Sequence, residues 1–342
     1  MFLGIEIGGT KLQLGIGAGD GTLVAIERLE VQPKRGAQGI LQQLEKVGGE
    51  LVARHAPSAV GLGFGGPVDP AAGVAIKSHH VAGWEQFALA DWCRQVFALP
   101  AAVENDCDAA ALAEARFGAG RGHRAVLYVT VGSGIGGGLV LDREIYRGSG
   151  RGAAEIGHLR PGLLADRPDQ TVESLASGWG IAAAAQSRLG DPISHSFLSL
   201  ANGPRDGGPE QVRRRLVENE GAEAEYAADL RERCDGNLEN LSARMVAQAA
   251  ADGNEIARGV LAHACQVLGW AIAQALTLVS AEVVVVGGGV SLADESLFLA
   301  PLRTQVERYV FPPLAGTYEI VPAQLGEQVV VHGALAAAST VR

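Results

Sequence analysis

Phe2-Leu3-Gly4-Ile5-Glu6-Ile7, then Gly8-Gly9-Thr10-Lys11, then Leu12-Gln13-Leu14-Gly15-Ile16, reads as a strand, a glycine turn and a returning strand. The first segment suits a buried strand, and the last alternates as a half-covered strand does. The two form a hairpin. The arrangement recurs at mid-chain. Residues 125–131 make an apolar run, glycines crowd 132–138, and Leu139-Val140-Leu141 return. Two such openings imply two related halves. The expected boundary lies near Ala119-Gly120-Arg121-Gly122.

The rest of the chain fits an α/β reading with two domains. Residues 1–119 form the first, completed by a C-terminal helix over 331–342; residues 120–330 form the second, with an insertion around 191–238. Helical periodicity covers 40–53, 87–97 and 107–117, with short buried strands over 59–64 and 100–103. In the second half, 181–189 and 241–279 read as helical, the latter broken at Asp252-Gly253-Asn254. Residues 283–286 make a buried strand that runs into Gly287-Gly288-Gly289. Residues 191–210 read as loop, and 211–233 as a charged, solvated helical stretch.

Bulk properties bound the function. A chain of 342 residues, 47% apolar and 19% charged, can bury more than one core. A net charge of −10 disfavours nucleic acid and anionic membrane surfaces as partners. No apolar run reads as a membrane span, and the N-terminus lacks the basic flank of a signal peptide. Cys93, Cys107, Cys234 and Cys265 are scattered and form no CxxC, as in reduced cytoplasmic proteins.

Three glycine turns follow buried strands: Gly8-Gly9-Thr10, Gly132-Ser133-Gly134 and Gly287-Gly288-Gly289. Such turns let backbone N–H groups approach phosphate oxygens. One alone means little, but three in this order are hard to obtain by accident. The run 132–137 matches the dinucleotide pattern GxGxxG, yet a strand rather than a helix should follow it. The turn Gly8-Gly9-Thr10-Lys11 lacks the upstream glycine of a P-loop.

Glu104-Asn105-Asp106 stands between a strand and a helix. Taken alone, Asn105 or Asp106 simply caps that helix. The sharper reading makes Asp106 a base, kept ionised by the helix dipole and ready to accept a hydroxyl proton. Glu155 and His158 lie on a glycine-rich loop, and Glu173 follows. They could hydrogen-bond sugar hydroxyls; each alone fits a solvated loop or a helix start equally well.

In this order the motifs resemble those of the ROK family, a group of sugar kinases and repressors. The resemblance rests on residues 4–11, Gly66-Pro67-Val68-Asp69, Val103-Glu104-Asn105-Asp106, 132–138, 152–158, 173–178 and 284–290, with Gly83-Trp84 also in place. It implies the two-domain actin/hexokinase-like ATPase fold with an interdomain cleft. It implies that Asp106 is the catalytic base and that Asn105, Glu155, His158, Glu173 and Gly66 bind the sugar. Gly8, Gly9, Thr10, Lys11, Gly132, Ser133 and Gly134 would cradle phosphates, and Gly287, Gly288 and Gly289 the nucleotide. Glu6 stands where the family has Asp, a carboxylate able to hold Mg²⁺ through water. Ala154 replaces a usual glycine. Many members carry a zinc site; its three cysteine positions fall here on Leu164, Asp166 and Thr171, so no zinc is expected.

The implied activity is ATP-dependent phosphorylation of a hexose, glucokinase first. Fructokinase, N-acetylmannosamine kinase and polyphosphate glucokinase are the near alternatives. A sugar-sensing repressor is a second class, disfavoured because the first strand starts at Phe2 and leaves no room for a helix-turn-helix. A non-catalytic actin-like assembly protein is a third, disfavoured by Asp106 with the Glu155 and His158 loop. The resemblance further implies a cytoplasmic homodimer.

Overall fold

The computed structural model describes residues 1–78, 80–149, 152–162, 167, 169–190 and 222–341. Part of the expected insertion, 191–221, and Leu164, Asp166 and Pro168 lie outside them. Two five-stranded sheets share one plan. The first has the order β3-β2-β1-β4-β7, built from β1 (Phe2–Ile7), β2 (Lys11–Gly17), β3 (Leu23–Glu30), β4 (Val60–Phe64) and β7 (Ala101–Asn105). The second has the order β10-β9-β8-β11-β12, from β8 (Ala125–Val131), β9 (Ile135–Leu141), β10 (Glu144–Ile145), β11 (Val283–Gly287) and β12 (Glu319–Pro322). In each, an antiparallel hairpin leads and two parallel strands follow. A short pair, β5 (Val68–Asp69) and β6 (Val74–Ala75), stands apart.

The side-chain alternation of the first sheet dictates its two faces. Leu3, Ile5 and Ile7, Leu12, Leu14 and Ile16, and Val60, Leu62 and Phe64 are large and buried. They form a core with helices α1 (Gly36–His55) and α2 (Leu89–Phe97). The opposite face is paved with glycine. Cβ atoms added at Gly4, Gly15, Gly61 and Gly63 would collide with Leu335, Val331, Ala334 and Val330. All four belong to the C-terminal helix, Val329–Ala338, which therefore lies directly on the sheet. Helix α3 (Asp106–Phe117) packs on that helix from the other side.

The second sheet receives α3 in the same way. Gly136 and Gly138 on β9 face Cys107 and Ala111, leaving no room for a Cβ. These glycines are strand residues, whereas the sequence reading placed them in a turn over 132–138; the turn itself is only three residues long. A glycine row on a strand is a footprint for a helix as much as a turn signal. The strand after the turn also removes the dinucleotide reading, which needs a helix.

Other elements fall close to their expected places. Asn254 caps the helix Glu255–Val279, and the preceding helix ends at Ala251. That 25-residue helix is long and apolar enough to cross a membrane, contrary to the sequence reading. It is instead the central helix of the second core, with Ile256, Val260, Leu268 and Ile272 buried. Strand β3 was missed because its exposed edge is polar: Glu27, Arg28 and Glu30 interrupt the apolar pattern. Residues 222–233 of the charged segment are helical.

The glycine face makes a sharp prediction. A Cβ at Gly61 would lie 1.8 Å from the Ala334 carbonyl oxygen, while one at Gly49 in α1 meets nothing within 4 Å. Gly61→Ala should lower stability by about 1–3 kcal/mol or more through overpacking. Gly49→Ala should raise it by up to about 1 kcal/mol through helix propensity. Urea denaturation of both variants checks the contrast.

Candidate active site

Strand β7 ends at Asn105 and α3 starts at Asp106, so both side chains stand where two elements meet. Asn105 is a working N-cap: its Oδ1 accepts from the Cys107 and Asp108 amides at 2.8 and 3.3 Å. Its Nδ2 donates to the Gly66 carbonyl at 3.1 Å, tying the helix start to the turn after β4. The bland reading of Asn105 is therefore true, and Asp106 shares one of the amides it caps. Asp106 Oδ1 accepts from the Cys107 amide at 2.9 Å.

The electrostatics of Asp106 differ from the sequence expectation. The Cys107 amide works to lower its pKa, but burial is the larger cause and the net direction is up from the ordinary Asp value of 3.8. The Glu155 carboxylate pushes the same way. Burial likewise raises Glu6, with Lys11 and Gln13 opposing and Asp106 assisting.

Two cavities adjoin at Gly289 and Leu292, and Asp106 lines one of them. One, of about 410 Å³, is lined by Glu6, Lys11, Asp106, Thr130 and the turn Gly287-Gly288-Gly289. It opens toward a wider one of about 1200 Å³ that shares Gly289 and Leu292 and includes Gly132, Ser133, Trp179 and Arg244. Of the expected phosphate residues, these cavities gather Lys11, Gly132, Ser133 and the 287–289 turn. Gly8 donates its amide to the Lys11 carbonyl at 2.9 Å, closing the first turn, and Thr10 accepts from the Val31 amide. Gly134 accepts from the Gly132 amide at 2.9 Å. Gly8, Gly9, Thr10 and Gly134 are not among the lining residues of either cavity.

On the other side of Asn105 lies a small cavity of about 20 Å³, walled by Asn105, Asp108, Arg147, Gly152, Ala153 and Glu155. That is room for one water. The structure thus brings Asn105, Gly66 and Glu155 together. His158 is exposed and is not part of this wall. Glu173 has a different task here: its Oε2 accepts from the Ile135 amide at 2.9 Å, which fixes the turn of the second hairpin.

Three contributors were missed in the sequence. Arg147, after β10, makes a two-pronged ion pair with the buried Glu104, with Nη2 at 2.7 Å from Oε1. Asp108 stands in the first turn of α3, and burial raises its pKa to about 7. Gln13 is fully buried and donates to Glu6 Oε2 at 2.6 Å while accepting from Arg28 at 3.1 Å. The only signals were a charge inside a glycine loop, an Asp three residues beyond a cap, and an amide in a hydrophobic strand.

The ROK family model matches residues 2–341. The chain belongs to the ROK family. A glucokinase of Thermotoga maritima is 27% identical over 332 residues, 97% of this chain and 95% of its own. A glucokinase of Streptomyces coelicolor is 30% identical, with 97% and 95% covered. The crystal structure of a ROK glucokinase from Streptomyces griseus, in complex with glucose and AMPPNP, superposes with a TM-score of 0.75 at 28% identity, covering 98% of each chain. The fold of this ROK protein is accordingly hexokinase-like. Among the described residues no three His, Cys, Asp or Glu side chains gather as a metal cluster.

Ala154, at the position of the usual family glycine, adopts φ of 58°, in the left-handed region. A side chain there costs about 1–2 kcal/mol, partly offset by the chain entropy that glycine would lose. Ala154→Gly should therefore raise stability by about 0.5–1 kcal/mol, read as a higher thermal midpoint.

Proposed function

We propose that this ROK sugar kinase transfers the γ-phosphoryl group of ATP to a hydroxyl of glucose. The observation that carries the reading is the position of Asp106. It stands between the Asn105, Gly66 and Glu155 group on one side and the cavity with Lys11 and the 287–289 turn on the other. The glucose complex of the Streptomyces griseus relative supports the choice of sugar.

In this reading the hydroxyl to be phosphorylated lies against Asp106. The carboxylate takes its proton as the hydroxyl oxygen attacks phosphorus, and ADP leaves with the bridging electron pair. Asn105, Gly66 and Glu155 orient the sugar. The backbone amides of the glycine turns and the Lys11 ammonium face the phosphates.

The donor set suits a hydrated Mg²⁺. Glu6 and Asp106 present hard oxygens to one cavity and raise the energy of each other's charge. Both oxygens of Glu6 already take a protein donor, Gln13 at 2.6 Å and Lys11 at 3.3 Å. Glu6 would thus hold the ion through water, as a longer substitute for the family Asp. The ion would supply charge neutralisation on the phosphates.

A coupled ADP-release assay over hexoses and amino sugars, with ATP and polyphosphate as donors, tests the reading. Preference for glucose and ATP is expected; no turnover with any pair would sink it. Asp106→Asn should keep the fold and cut kcat by about 10²–10⁴, the worth of a positioned base. The base must be ionised to act, and burial raises its pKa. The acid limb of kcat/KM should accordingly lie above pH 3.8, with activity lost as pH falls through it.

A further inference from the structure

We infer that Arg147, held by Glu104, is a positioning residue that fastens the Glu155 loop to the first half of the molecule. This inference rests on the sugar-kinase reading only for its kinetic consequence.

Glu104 belongs to β7 of the first sheet, and Arg147 follows β10 of the second. Their two-pronged pair therefore links one sheet to the segment that follows the other. Glu104 is buried while the Arg147 side chain is 38% exposed, so the pair is anchored at its buried carboxylate. Among the described residues after Arg147, Gly148 at φ 52°, Gly152 at φ 125° and Ala154 at φ 58° lie in the left-handed region. Glycines there have little preference of their own for one path. Glu155 shares the small cavity with Arg147, Asn105 and Asp108. The Arg147 guanidinium is fixed to the residue next to Asn105.

Asp108 completes the arrangement. It adds a second carboxylate to the field at Arg147, and its Oδ1 is buried with no hydrogen-bond partner. The groups that face it are Glu104 from β7, Arg147 after β10, Glu155 from its loop and Asp106 on its own helix. Gly138 of strand β9 lies against its backbone.

Hydrogen exchange without sugar tests the fastening directly. In Arg147→Gln, amides of 152–158 should exchange at least tenfold faster, while those of α1 stay unchanged. If that variant fails to fold because Glu104 is left buried and unpaired, the double variant Glu104→Gln, Arg147→Gln removes the stranded charge and carries the same expectation. Kinetically, the sugar KM should rise at least tenfold with the ATP KM within twofold. Unchanged exchange at 152–158, or an equal rise in both KM values, would each overturn the inference. A wild-type chain that phosphorylates no sugar would defeat the functional reading, and the exchange experiment would still decide the clamp.

Discussion

The two halves are held by a contact built largely on glycines and small side chains. On the C-terminal helix, Gly333 lies so close to α3 that a Cβ would come 1.8 Å from the Ala109 carbonyl oxygen. The same helix lies on the glycine face of the first sheet, and α3 lies on the glycines of β9. Sheet, helix, helix and sheet are thus stacked at close approach, with Ala109, Ala110, Ala111, Ala113 and Ala115 filling the gap. Small residues make the layers thin and the contacts numerous. They also set the position of Asp106, because the start of α3 can go nowhere else once its flank is seated on both sides.

Polar anchors then refine what packing has placed. Glu114 is fully buried on α3, yet its Oε1 accepts from the Gln324 and Leu325 amides and its Oε2 from the Ala119 amide. One carboxylate so satisfies three backbone donors, one just past the end of α3 and two from a distant segment. At the other end of α3, Asn105 both caps the helix and grips Gly66. Gln13 performs a similar service for Glu6, and its own amide nitrogen also reaches the Glu327 carbonyl at 2.8 Å. Helix α3 is therefore fixed at both termini as well as along its length.

Much of this could be read from the chain itself. The paired hairpins were visible in the alternation of 2–16 and 125–141, because buried strands leave a strong apolar signature. The order of the glycine turns brought the family resemblance, and Asp106 and Asn105 came with it. What escaped was set by distance in sequence. Nothing near Arg147 announces Glu104, which lies 43 residues earlier. Nothing near Glu173 announces the Ile135 amide. The glycines of β9 looked like turn formers because the helix seated on them belongs to an earlier part of the chain. The edge strand β3 hid behind its charged outer face.

The small cavity beside Asn105 carries a consequence for binding kinetics. On the proposed reading, with a hexose bound beside Asn105, a space that admits one water would have to widen first, and the binding-competent population would be a fraction of the whole. Apparent affinity would be reduced by that fraction, whatever the strength of the contacts made afterwards. Sugar capture would then reach a ceiling at high concentration, set by the rate of opening rather than by diffusion. A change that tightens the resting form would look like a weaker ligand, although no residue touching the ligand had altered.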